Sequence, residues 1–255
     1  MTPDALKDAD PSRTDLKGAL REALATYNGD PRHPVVAETI ERLTRLNPDP
    51  TPARNSSLLE GNWRLISAPI FPGGTQLADG HYSYTLGRLA FNLFQPKDLP
   101  VIIEQVFQPV LPIGEGPQST HDIVVNFTIA SPPLPPLEGI VRNLGVCQPA
   151  SDTTLQVQFT GGVLEPAAGT DLKQWKEIFE KPDPPASRSI KEWLQHQLLK
   201  VMFGVVPPKE LAADTGRVEF QLKRSPKGTL SVLYLDEELR ITKGQRETVL
   251  ICERH

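Results

Sequence analysis

Asp236, Glu237 and Glu238 form a run of three acids, and a pair of carboxylates can split a glycosidic bond, one as acid and the other as base or nucleophile. That chemistry needs the two groups on opposite sides of the bond, roughly 5–9.5 Å apart, which three neighbours in one turn seldom achieve. The alternative is a tight connection, in which Asp236 pairs with Arg240 or accepts local backbone N–H bonds. His33, His81, His121, His196 and His255 show neither HxH nor HExxH spacing, so no metal site is expected. Cys147 and Cys252 include no CxxC pair and are expected to be buried thiols. Gly73-Gly74 and Gly161-Gly162 lack the Lys-Ser/Thr of a phosphate loop and read as turn glycines, and no Gly-x-Ser-x-Gly elbow occurs. The chain is therefore read as a non-enzyme, without catalytic residues or cofactor.

The elements that must position these groups are helices first and strands afterwards. Ser12 and Asp15 have the spacing of a helix cap, and Leu16, Leu20, Ala23, Leu24 and Tyr27 then repeat along one face, predicting a helix over 13–27. Pro34, followed by Val36, Ile40 and Leu43 and stopped by Asn47-Pro48, predicts a second helix that packs with the first against the following sheet. From Asn62 the period becomes two. Strands are predicted at 62–66, 81–94 (broken near Gly87), 101–107, 122–130, 139–146, 154–159, 217–223, 229–234 and 247–252. Their spacing predicts an antiparallel meander closing into a β-barrel or half-barrel, with helices added before it and inserted before the last strands. Residues 1–12 read as a flexible N-terminus and 13–255 as one domain: helical pair 13–47, barrel 58–255, helical insertion about 170–210. Within the insertion, Ile190, Trp193, Leu194, Met202 and Phe203 share an apolar face. Its polar face includes Glu192 and glutamines rather than a basic stripe, which fits a lid on the barrel better than peripheral membrane contact.

Two segments carry a family resemblance. Tyr234-Leu235-Asp236-Glu237-Glu238-Leu239-Arg240-Ile241-Thr242-Lys243-Gly244 resembles the C-terminal signature of the plastid lipid-associated protein family (PAP/fibrillin, or plastoglobulin), and Leu58-Leu59-Glu60-Gly61-Asn62-Trp63-Arg64-Leu65 resembles its opening strand. Where the family usually has tyrosine-threonine, this chain has Ile66-Ser67. With Asn47-Pro48 in the expected order, the resemblance covers roughly 13–254 and fits a cyanobacterial-type member. Gly61-Asn62-Trp63 also resembles the first-strand motif of lipocalins, which implies a lipocalin-like barrel plugged by Trp63 with an arginine, Arg240 or Arg254, over its ring. Trp63, Tyr234, Asp236 and Arg240 are accordingly taken as signature residues that position the barrel's closure.

Composition narrows the partners. A formal charge of −4 gives no electrostatic reason to expect nucleic acid. No apolar run reaches the roughly 20 residues that cross a bilayer as a helix. The 26 prolines, about twice the usual share of roughly 5%, mark loops and edges. Met1–Asp15, rich in aspartate, resembles neither a secretory signal nor a transit peptide; together with this, the family resemblance implies a cytoplasmic or thylakoid-peripheral protein of a cyanobacterium, or an already processed plastid form.

Function is then expected from the barrel interior. The inward candidates Leu89, Phe91, Val106, Phe127, Val157 and Phe159 suit an isoprenoid or acyl chain, and equally a dry core. The resemblance implies a lipid-associated protein with a prenylquinone, carotenoid or acyl lipid as partner, at a thylakoid or lipid-droplet surface. A structural coat without internal ligand is the competing reading, and a small barrel enzyme using Tyr82, Tyr84, His81 and Asp236 a third.

Overall fold

Ser12 and Asp15 cap the first helix reciprocally: the Ser12 Oγ accepts the Asp15 N–H at 3.2 Å and the Asp15 carboxylate accepts the Ser12 N–H at 3.1 Å. The computed structural model describes residues 12–69, 73–90, 92–129, 136–180, 205–206, 210–225 and 227–255. Helices α1 (Arg13–Thr26) and α2 (Pro34–Arg45) follow the predicted spans closely. Their apolar stripes, Leu16, Leu20 and Leu24 with Val36, Ile40 and Leu43, bury Tyr234, Leu239, Ile241 and Ile251 of the sheet.

After α3 (Ser56–Leu59) come β1 (Gly61–Leu65), β2 (Thr75–Gln76), β3 (Tyr82–Thr85), α4 (Leu86–Leu89), β4 (Pro100–Val110), β5 (Ser119–Thr120), β6 (Ile123–Ile129), β7 (Leu137–Pro149) and β8 (Thr154–Pro166). Then follow α5 (Leu172–Phe179), β9 (Val205–Val206), β10 (Val218–Leu222), β11 (Lys227–Leu235), β12 (Leu239–Gly244) and β13 (Val249–Arg254). The expected lipocalin-like barrel is present. Strands β1, β4, β6, β7, β8, β11, β12 and β13 pair antiparallel in chain order, and β13 returns to β1, Trp63 opposite Arg254 and Leu65 opposite Cys252, to close the ring.

Two long strands make the barrel uneven. The C-terminal half of β4 pairs with β1 but its N-terminal half pairs with β3; the first half of β8 pairs with β11 but its second half with β10. The sheet is therefore a ring at one end and splays open at the other. Ladder shifts between Ile103 and Gln105 and between Leu144 and Gly145 mark the transition, as expected of bulges that bend a strand. The open end is covered from inside. Asp171 caps α5 by accepting the N–H groups of Lys173 and Gln174, and α5 lowers Trp175 onto Gly139, where a Cβ would overlap the rings of Trp175 and Phe127.

Some predicted boundaries are corrected. The strand expected over 81–94 ends at Thr85, because Leu86–Leu89 turns helical and Asn143 holds it there by donating to the Leu89 carbonyl at 2.8 Å. Leu239–Gly244, which no predicted strand covers, is a barrel strand. The helix expected around 188–203, with Ile190, Trp193, Leu194, Met202 and Phe203, lies outside the described residues.

Candidate functional site

Along β7 every second residue, Leu137, Gly139, Val141, Asn143, Gly145 and Cys147, is buried and defines the inward face. The upper part of that face is filled by side chains. Leu89, Val106 and Phe127, three of the predicted interior positions, come together there in one core with Phe94, Trp175, Phe179 and Phe220. Val157 and Phe159 share the inward register, opposite Cys147 and Gly145, but are only half-buried. Val157 packs on a separate core at the ring end, and Phe91 lies outside the described residues.

The ring end has different chemistry. Trp63 is fully buried and its indole N–H donates to the Leu59 carbonyl at 2.8 Å. The arginine expected over its ring is present twice, Arg240 at 4.9 Å and Arg254 at 4.3 Å from ring centroids. Arg254 is further held by the carbonyls of Leu58, Glu60 and Glu237, each at 2.6 Å. It lies against Gly61, whose φ of 135° is in the region that only glycine adopts easily. Gly61→Ala would drive a Cβ into the guanidinium. A loss of about 1–3 kcal/mol in urea unfolding is expected, and an unchanged midpoint would show that the Arg254 position is not constrained by the glycine.

Arg240 is 2% exposed and donates to the Gln108 Oε1 at 2.6 Å. The pairing with Asp236 allowed by the sequence does not form. Asp236 instead takes the other predicted role, accepting the N–H groups of Glu238 and Leu239 at 2.9 and 2.8 Å, and adds Lys17 of α1 at 2.9 Å and the Tyr234 hydroxyl at 2.7 Å. The signature is thus two devices. Tyr234 and Asp236 tie α1 to the β11–β12 turn, and Arg240 enters the barrel.

Around Arg240 stand Gln108, His121, Cys147 and Cys252. Both cysteines are free and buried, as expected. Burial depresses the His121 imidazole to about 3, helped by the positive charge of Arg240, and pushes the Cys147 thiol up to about 11. Both are therefore neutral at pH 7. Four buried polar atoms, Arg240 Nε, Thr242 Oγ1 and Asn143 Oδ1 on barrel strands and His121 Nδ1 in the β5–β6 connection, have no protein partner. A cavity of about 300 Å³ reaches Arg240 and His121 past Leu59, Val110 and Leu155, with Arg54 and Glu115–Pro117 at its rim. Sequence reasoning missed Gln108, His121, Thr242 and Asn143. The available signal was a polar residue at an inward slot of an alternating strand, as Gln108 between Val106 and Val110.

Among the described residues no group of His, Cys, Asp and Glu is arranged to hold a metal ion, and no helix is long and apolar enough to cross a membrane. Compared with known families, residues 15–253 match the PAP_fibrillin family model. No curated protein and no solved structure matches the chain.

Proposed function

The chain belongs to the PAP/fibrillin family of lipid-associated proteins, and we propose that it is a non-catalytic carrier that binds one small apolar metabolite in the ring end of its barrel and exchanges it at a thylakoid or lipid-droplet surface. The observation that carries this reading is the cavity itself, about 300 Å³ with Leu59, Val110 and Leu155 in its walls. Its volume is at the low end of the roughly 300–1,000 Å³ usual for ligand pockets. That favours the end of an acyl or prenyl chain over a whole carotenoid. The predicted residues Leu89, Val106 and Phe127 serve in this reading as the packed wall that keeps the barrel rigid, since Trp175 and Phe220 occupy the space beside them.

Purification from a pigmented photosynthetic host, solvent extraction and mass spectrometry against a matched control protein tests the proposal. One apolar species enriched to near one per chain is the expected result. No enrichment, with binding to lipid vesicles retained, would replace the carrier by a surface coat whose barrel is only a scaffold.

A further inference from the structure

Arg240 sits in the barrel without an anion. Its hydrogen-bond partners, Gln108 and the Cys252 thiol, are neutral, and among the described residues no carboxylate forms an ion pair with it. The titratable groups that act on it are Cys252, Cys147, His121 and Arg254, and burial keeps the thiols protonated and the imidazole neutral. Glu60 and Glu115 border the cavity, Glu115 exposed and Glu60 half-buried, and neither pairs with Arg240. A guanidinium stays charged in a protein, and a buried charge without a counter-charge is costly. The Nε of Arg240 and the Nδ1 of His121 are also unpartnered, and both residues line the cavity.

Resting on the carrier reading above, we propose that the bound metabolite is an aliphatic chain ending in an ionised carboxylate, which enters past the apolar walls and is held by Arg240 Nε with His121 beside it. The apolar walls take the first part of the chain and the cation takes the head. Charge balance selects the head group: one buried guanidinium beside a neutral imidazole compensates a monoanion, not the nearly doubly charged phosphate of a phosphorylated alcohol. The rim supports an amphiphile too. Leu111 and Ile113, just before the Glu115–Pro117 edge, are exposed at 55% and 38% and offer apolar surface to a chain longer than the cavity.

Isothermal titration of the full chain with decanoate, 1-decanol and decyl phosphate tests the assignment. Decanoate is expected to bind about 10- to 100-fold more tightly than decanol, the ratio that a charge-assisted hydrogen bond gives. Arg240→Gln should erase that ratio while leaving decanol where it was. Equal affinities for decanoate and decanol in the unaltered protein would overturn the carboxylate while the carrier reading stands, and tighter binding of decyl phosphate would overturn the monoanion. No binding of any of the three would sink both. If Arg240→Gln does not fold, Leu155→Trp, which fills the cavity without altering the cation, must weaken decanoate at least about tenfold; unchanged affinity would place the ligand elsewhere and overturn the site.

Discussion

Trp175→Ala is expected to lower the unfolding free energy by about 3–5 kcal/mol, the range for removing a buried aromatic from a packed core. Trp175 is fully buried, donates to the Gly216 carbonyl at 2.8 Å, and has Phe179 at 4.3 Å and Phe127 at 6.4 Å between ring centroids. Little can collapse into the hole. Beneath the ring is Gly139, which contributes no side chain, and the β7 backbone there is fixed by ladders to both β6 and β8. The Gly216 carbonyl would also lose its donor. In thermal unfolding this corresponds to a drop of roughly 6–20 °C, using about 2–4 °C per kcal/mol for a chain of this size. A drop of only a degree or two would mean that α5 is not what closes the splayed end of the barrel.

That role of Trp175 could not be read from the sequence, although the helix could. Leu172, Trp175, Ile178 and Phe179 recur at helical spacing, but periodicity says only that one face is apolar and not which concavity it enters. The same limit explains the interior residues. Taking the barrel as a uniform tube puts Phe127 and Val157 in one lumen, whereas the divided pairing of β4 and β8 separates a side-chain-filled end from a polar one. β12 was hidden for a second reason. Leu239 and Ile241 point to the helical pair while Arg240 and Thr242 point inward, so its alternation carries the polar residues on the inside, the reverse of the usual pattern, and follows directly on an acidic run. What was legible in the residues themselves had local causes, the Ser12–Asp15 cap and the change to period two from Asn62, whereas the arginine over the Trp63 ring came from the resemblance of Gly61-Asn62-Trp63 to the lipocalin motif.

Asp236→Ala is expected to cost about 3–5 kcal/mol at neutral pH, as for breaking a buried ion pair from one side. The change leaves the fully buried Tyr234 hydroxyl and two turn N–H groups without an acceptor, and leaves Lys17 with only Glu238, which stands in solvent. Acid titration separates the charge from the packing. Burial alone would raise the Asp236 carboxyl, but Lys17, Tyr234 and the N–H groups of Glu238 and Leu239 outweigh it and hold the group below its ordinary value. A depressed folded pKa contributes stability that is present above the unfolded value, about 3.9, and is lost as pH falls through the folded one. Asp15, Asp49, Asp79 and Glu238 are depressed as well and titrate in the same window, so the quantity to follow is the difference between wild type and variant. In urea unfolding at pH 7, 5 and 3 that gap should be constant between 7 and 5 and narrow at 3. A gap that stays as wide at pH 3 would assign the loss to the missing side-chain volume and not to the ion pair. The gap also bears on the barrel, because the turn that Asp236 fixes leads straight into Leu239 and Arg240. The first carboxylate of the acid run thus anchors α1 to the turn that delivers a cation into the barrel.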